Sequence, residues 1–156
     1  MKWILTDIDG VLTDGRVAIE INGNETKTIS YRDLDAIGIG RNAGYDFIFI
    51  TGEDTDMARA VTKRFNVTKA YYGKKDKQAA MNEISVEFGI PVAEMLYIGD
   101  SDRDAPALEI VGLGIAPSDA SDKAKSAANI LTDSKGGHGV LLEVVNKLMN
   151  GKWRFP

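Results

Sequence analysis

Trp3-Ile4-Leu5-Thr6-Asp7-Ile8-Asp9-Gly10-Val11-Leu12-Thr13-Asp14 is the stretch from which the rest of the chain can be read. An apolar run of β-formers drives into two aspartates two residues apart, then a glycine. Trp3 to Leu5 read as a buried strand. Asp7 and Asp9 follow at its carboxyl end, the edge of an open α/β sheet where ligands bind. Gly10 lets the chain turn away sharply there. Two carboxylates this close are costly unless a cation holds them or one carries a proton. The pattern points to Asp7 as a metal-bound carboxylate able to attack an electrophile. Asp9 then donates and accepts protons. The bland alternative is a solvated turn rich in Asp and Gly.

Working outward, residues 15–31 alternate. Val17, Ile19 and Ile21 precede the turn signal Asn22-Gly23-Asn24, and Thr26, Thr28 and Ser30 follow. This predicts a protruding β-hairpin over about 16–31, too small to be stable alone, which must pack on its own domain or on another subunit. Asp33 is expected to cap a helix to about Ala43, thinned by Gly38 and Gly40 where something approaches closely. Phe47 to Ile50 is a continuous apolar run, the mark of a buried parallel strand. Asp54 or Thr55 caps a helix through about Phe65, and Lys69 to Tyr72 is a short strand. Asp76 caps a long helix to about Phe88, closed by Gly89. Met95 to Ile98 and Val111 to Ala116 are further strands, with a helix opening at Pro106 between them. Ser121 to Ala128 is a helix and Asn129 to Leu131 a last strand. Gly136-Gly137-His138-Gly139 reads as a flexible hinge before a terminal helix from Val140 to Met149. The alternation predicts an α/β fold, a parallel sheet with helices on both faces, in a single domain over 1–156.

In such a sheet the strand ends share one edge. Asp7-x-Asp9-Gly10, Thr51-Gly52, Gly73 with Lys74, Lys75 and Lys77, and Gly99-Asp100 therefore converge. Three carboxylates, a hydroxyl beside a flexible backbone and a lysine cluster fit phosphoryl transfer. That chemistry needs a cation bridging phosphoryl group and nucleophile, with positive charge and N–H donors on the equatorial oxygens. Asp7 and Asp100 are hard oxygen ligands suited to Mg²⁺. Thr51 and the Gly52 amide can hold phosphate oxygens at the next helix's start. Singly, each motif could be a turn, a cap or a solvated helix start.

Composition narrows the classes. The net charge of −4, with no basic run, argues against nucleic acid. The absence of cysteine excludes disulfides, thiol catalysis and zinc–thiolate sites, and suits a cytoplasmic location. One histidine, His138, excludes multi-histidine metal sites. No apolar stretch is long enough to span a membrane, and the opening residues do not read as a signal peptide.

With these residues together, the chain resembles the haloacid dehalogenase superfamily of phosphatases. Four motifs carry the resemblance: Asp7-x-Asp9-Gly10-Val11, Thr51-Gly52, a lysine in Gly73-Lys74-Lys75-Asp76-Lys77, and Gly99-Asp100-Ser101-Asp102-Arg103-Asp104. The resemblance implies a Rossmann-like fold, Mg²⁺ dependence and an aspartyl-phosphate intermediate on Asp7. It makes Asp9 the acid and base. It places Mg²⁺ on Asp7, the Asp9 backbone carbonyl and Asp100, with Asp104 behind them, and it selects Lys77, ahead of Lys74, as the phosphate-binding lysine. With no insertion large enough for a cap domain, the chain is similar to the capless sugar-acid phosphatases that act on 3-deoxy-manno-octulosonate 8-phosphate or nonulosonate 9-phosphates. Asp9 to Gly15, the hairpin, Gly112 to Ala120 and Gly136 to Val140 carry that likeness. It implies a homotetramer in which hairpins assemble and a neighbour covers the site. Glu53 after Thr51-Gly52 tilts the reading toward a nine-carbon acid.

Other readings fit less well. Asp100-x-Asp102-x-Asp104 copies the start of a calcium-binding EF-hand loop, but Ala105 and Val111 stand where glycine and glutamate are needed. A phospho-receiver domain expects its acceptor aspartate at a central strand's end, whereas Phe47 to Ile50 runs into Thr51. A phosphatase of another small metabolite and a catalytically idle interaction domain remain the alternatives.

Overall fold

The computed structural model describes residues 2–156. Its centre is β1 (Lys2–Thr6), flanked on one side by β4 (Tyr45–Ile50) and β5 (Lys69–Tyr71). On the other side lie β6 (Leu96–Ile98), β7 (Leu113–Ala116) and β8 (Ile130–Leu131). Every neighbouring pair in this six-stranded sheet is parallel. Ile4 stands opposite Phe47 and Leu96, and Leu5 opposite Ile48 and Tyr97.

Successive strand residues point to opposite faces, so the apolar runs feed two cores. Ile4, Phe47, Phe49, Leu96, Ile98 and Ile115 pack under α1 (Tyr31–Asn42), α2 (Asp56–Arg64) and α6 (Val140–Met149). Leu5, Ile48, Ile50, Tyr97 and Ala116 pack under α3 (Lys77–Phe88), α4 (Ala105–Ile110) and α5 (Asp122–Ala127). A sheet buried on both faces has no polar alternation to show, which is why these strands read as unbroken hydrophobic segments. The expected α/β architecture, with helices on both faces, is present.

The hairpin is present but minimal. β2 (Ala18–Ile19) pairs antiparallel with β3 (Glu25–Thr26) across a turn closed by the Glu20 amide on the Asn24 carbonyl at 2.8 Å. Val17, Ile19 and Ile21 are exposed, Ile21 completely. Of the two thinning glycines in α1, Gly40 meets Phe47, whose ring would lie 2.6 Å from an added Cβ, while Gly38 faces open space.

Two expectations are corrected. Ser30, not Asp33, caps α1, accepting the Arg32 amide. Asp33 lies inside the first turn, fully buried. Its carboxylate reaches across to α6 and accepts the amides of Leu141 (2.9 Å), Leu142 (3.2 Å) and Gly139 (3.3 Å). The N-cap residue of α6 is Gly139, which has no side chain to cap with, so another helix supplies the acceptor. The segment Gly136 to Gly139 is not a hinge. Gly136 donates to Asp119 and Gly137 to the Val11 carbonyl, each at 2.9 Å. A Cβ on Gly136 would lie 2.0 Å from the Gly10 carbonyl oxygen. These glycines serve close backbone approach to the loop after β1.

Candidate active site

The loop after β1 is set by its backbone. The Asp7 amide continues the ladder onto the Ile98 carbonyl at 2.9 Å, and the amides of Val11, Leu12 and Thr13 all turn back to the Ile8 carbonyl. Asp7 is buried, with Oδ1 accepting the Ile8 amide at 2.8 Å. Gly10 adopts φ +85°, and a Cβ there would fall 1.8 Å from Asp100 Oδ2. The glycine thus provides both the turn and the space that brings the β6 loop against the β1 loop. Thr13 Oγ1 ties the turn together, donating to Asp9 Oδ1 at 3.1 Å and accepting the amides of Gly10 and Gly15.

Asp76 caps α3 as expected, accepting the Ala79 amide at 2.9 Å. The next residue, Lys77, consequently enters the site. Its side chain is 3% exposed, and Nζ lies 3.1 Å from Asp7 Oδ1 and 3.2 Å from Asp104 Oδ1. Lys74 instead pairs with Glu83 on the helix surface. Asp104 has little room for another ligand. Its Oδ1 takes the Tyr97 hydroxyl at 2.6 Å and Lys77, while Oδ2 takes the amides of Asp100 and Ser101 and the Ser101 hydroxyl. It therefore fixes the Asp100 loop and Lys77 from behind.

Thr51, 2% exposed, directly follows β4, and its Oγ1 accepts the Glu53 amide at 3.1 Å. Thr51, Gly52, Glu53, Lys77, Asp7, Asp9 and Asp100 all line one cavity of about 850 Å³ at the carboxyl edge of the sheet. Asp104 is not among the residues lining it. Lys27, unremarked in the sequence, also reaches the site: from the return of the hairpin its Nζ sits 3.0 Å from each oxygen of Asp9. Only its place on the inward side of the alternation, opposite Thr26 and Thr28, could have flagged it.

The electrostatics of the cluster follow from this packing. Burial pushes Asp7 up to about 8, with Lys77 opposing and Asp104 and Asp100 adding repulsion. Burial and Asp104 push Asp100 up to about 7. Burial works against the Lys77 ammonium, but Asp7 and Asp104 outweigh it and its pKa rises. Burial also works against ionised Asp104, yet Lys77, the Tyr97 hydroxyl and the Ser101 amide bring its pKa down. Oxygens of Asp7, Asp100 and Asp104 lie within 4.8 Å of one another, and Asp100 Oδ1 is buried with no hydrogen-bond partner among the described residues. An orphaned carboxylate oxygen beside a second buried carboxylate, with only hard oxygen donors around, fits Mg²⁺.

Residues 68–144 match the model of the haloacid dehalogenase-like hydrolases. A solved structure from Vibrio cholerae, provisionally given the activity of a 3-deoxy-D-manno-octulosonate 8-phosphate phosphatase, is 31% identical, with a TM-score of 0.89 over 97% of this chain and 85% of that one. The chain belongs to the haloacid dehalogenase-like hydrolases. Other members of the family resemble it over the same span. The 3-deoxy-D-manno-octulosonate 8-phosphate phosphatase KdsC of Haemophilus influenzae is 28% identical over 97% of this chain and 84% of the relative. The Moraxella catarrhalis enzyme of the same name, solved with magnesium, phosphate and its sugar acid, has a TM-score of 0.90 at 26% identity, over 96% of this chain and 86% of that one. Within the haloacid dehalogenase-like hydrolases these relatives fall in the capless sugar-acid phosphatase group that the motifs indicated.

Proposed function

We propose that this chain is a Mg²⁺-dependent phosphatase that hydrolyses a keto-deoxy sugar-acid phosphate, an octulosonate 8-phosphate or a nonulosonate 9-phosphate, through an aspartyl-phosphate. The enzyme class, a phosphoric monoester hydrolase using Mg²⁺, follows from the family. The observation that carries the site assignment is the buried, unpartnered Asp100 Oδ1 beside Asp7 and Lys77 at the cavity floor.

Asp7, the Asp9 backbone carbonyl and Asp100 would hold Mg²⁺, with Asp104 behind them. When bound, the metal supplies positive charge that keeps both carboxylates ionised and offsets the charge of the phosphoryl group. Asp7 attacks phosphorus while the ester oxygen leaves with a proton from Asp9. Asp9 then takes a proton from the water that attacks phospho-Asp7, releasing phosphate and restoring the carboxylate. Thr51, the Gly52 amide and Lys77 hold the equatorial oxygens, where the charge of the transition state is spread.

A sugar acid carries a second anion. Two cations lining the cavity, Lys75 and Arg103, have no carboxylate within ion-pair distance among the described residues, because Asp54 is taken by Arg59 and Asp102 by Lys123. Arg103 Nη1 hangs 3.9 Å from the position of a Cβ on Gly52. They suit the substrate carboxylate, and Glu53 suits its hydroxyls. The exposed apolar side of the hairpin, Val17, Ile19 and Ile21, suits assembly with copies of the chain into a homotetramer that covers the site. A cytoplasmic location fits the lack of cysteine. No helix among the described residues is long and apolar enough to cross a membrane.

The test is phosphate release, with and without Mg²⁺, from octulosonate 8-phosphate, nonulosonate 9-phosphates and simple sugar phosphates. Strong preference for one keto-acid phosphate supports the assignment. Equal weak rates on all of them retain the chemistry and remove the sugar acid, and no release from pure folded protein removes the enzyme.

A further inference from the structure

Lys27 stands apart from the hairpin that carries it. Residues 15–26 are all solvent-exposed, and Lys27 is the first after them to turn inward, its side chain only 10% exposed. Its Nζ lies 3.0 Å from both Oδ1 and Oδ2 of Asp9. Among the described residues, the only other side chain bonded to that carboxylate is Thr13, through Oδ1 at 3.1 Å. Asp9 stands on a tight turn, its side chain 30% exposed, beside the carboxylates of Asp7 and Asp100 in the same cavity. Left with Thr13 alone, the carboxylate would be free to rotate away from its like-charged neighbours.

We propose that Lys27 is a positioning residue for the reaction: it holds the Asp9 carboxylate in the rotamer from which the leaving oxygen is protonated, and so makes the hairpin part of the catalytic apparatus. A lysine with a flexible four-carbon stem, buried from an otherwise solvated excursion onto both oxygens of one carboxylate, is a poor arrangement for packing and a good one for orientation. The proposal rests on Asp9 being the acid of the proposed reaction.

The experiment compares kcat/KM, which reports phosphoryl transfer to Asp7, for an alkyl phosphate and for p-nitrophenyl phosphate, whose leaving group departs unprotonated. Wild-type release of phosphate from both esters with Mg²⁺ is measured first; its absence refutes the functional reading itself and, with it, this role. General acid catalysis contributes about 10²–10⁴-fold. Lys27→Met is therefore expected to lower kcat/KM for the alkyl ester about 10–100-fold, an order of magnitude more than for the aryl ester. Lys27→Arg should recover most of that loss. In an Asp9→Asn background Lys27→Met should cost nothing further, since the two act as one unit. Equal losses on both esters, no loss on either, or an additional loss in the Asp9→Asn background would overturn the proposal and leave Lys27 as a staple for the hairpin.

Discussion

Replacing Gly10 by alanine tests whether the site is assembled by the contact of two loops. The added Cβ would lie 1.8 Å from Asp100 Oδ2 and 2.2 Å from its Cγ, against 3.4 Å for the onset of ordinary contact. The carboxylate must retreat by about 1.6 Å, taking the buried, unpartnered Oδ1 with it. Retreat is resisted, because the Asp100 and Ser101 amides are both fastened to Asp104. Misplacing a reacting or binding group by about 1 Å costs on the order of 10²-fold in rate. Gly10→Ala should thus lower kcat about 100-fold and raise the Mg²⁺ concentration for half-maximal activity. A second cost arises from φ +85°, at which a side chain adds about 1–2 kcal/mol. Gly23→Ala isolates that cost, because Gly23 has φ +86° and nothing within 4 Å of an added Cβ. The assay is phosphate release against Mg²⁺ concentration for both variants, with thermal unfolding alongside. Both should lose a few degrees of stability, and only Gly10→Ala should lose activity. Wild-type kcat and Mg²⁺ response in Gly10→Ala would refute the placement of Asp100 against the β1 loop as a metal ligand.

Other substitutions separate the roles. Asp7→Asn should abolish turnover while circular dichroism shows an unchanged fold; retained activity would remove Asp7 as nucleophile. Arg103→Ala should raise KM for a keto-acid phosphate about tenfold and leave KM for a simple sugar phosphate within about twofold, because only the former carries the second anion. Asp33 is pushed up to about 6, chiefly by burial, with the α6 amides pulling the other way. Its folded pKa exceeds its unfolded value, so its contribution is complete below about pH 4 and is lost as pH rises through 6. Urea unfolding of the metal-free protein should accordingly show Asp33→Asn gaining on wild type by up to about 3 kcal/mol between pH 4 and 7. Asp33→Ala, which strands three amides, should lose about 1–3 kcal/mol at pH 5; a flat difference across pH for the asparagine variant would refute the burial argument.

What could be read in the sequence depended on the distance over which each residue acts. Asp76 announces Lys77 because a cap and the residue after it are covalent neighbours. Asp7, Asp9, Thr51 and Asp100 were legible because strand ends converge in any parallel sheet, whatever the packing. Asp33 was misread because its partners lie more than 100 residues along the chain. An aspartate before a helical pattern signals a local cap unless the third dimension is known. Gly136 to Gly139 was misread because glycine signals flexibility and close approach alike, and only a neighbour such as the Gly10 carbonyl distinguishes them. Lys27 escaped because the lysines of a solvated hairpin look the same whether or not one of them turns inward. Asp104 was singled out by motif, but its five bonds and the part played by Tyr97 needed coordinates.

The fastening of Gly137 to Val11, and of Asp33 to the start of α6, joins the loop after β1 and the helix α1 to a segment made much later. On a ribosome this imposes a timetable. Gly137 follows Val11 by 126 residues (137 − 11), so at about 5–20 residues per second the loop that carries Asp7 and Asp9 waits several seconds for the backbone that braces it. A chain halted before Gly136 would hold every residue that lines the cavity and still lack the brace behind it. Such a chain should release no phosphate, so that synthesis through α6 itself becomes a condition of activity.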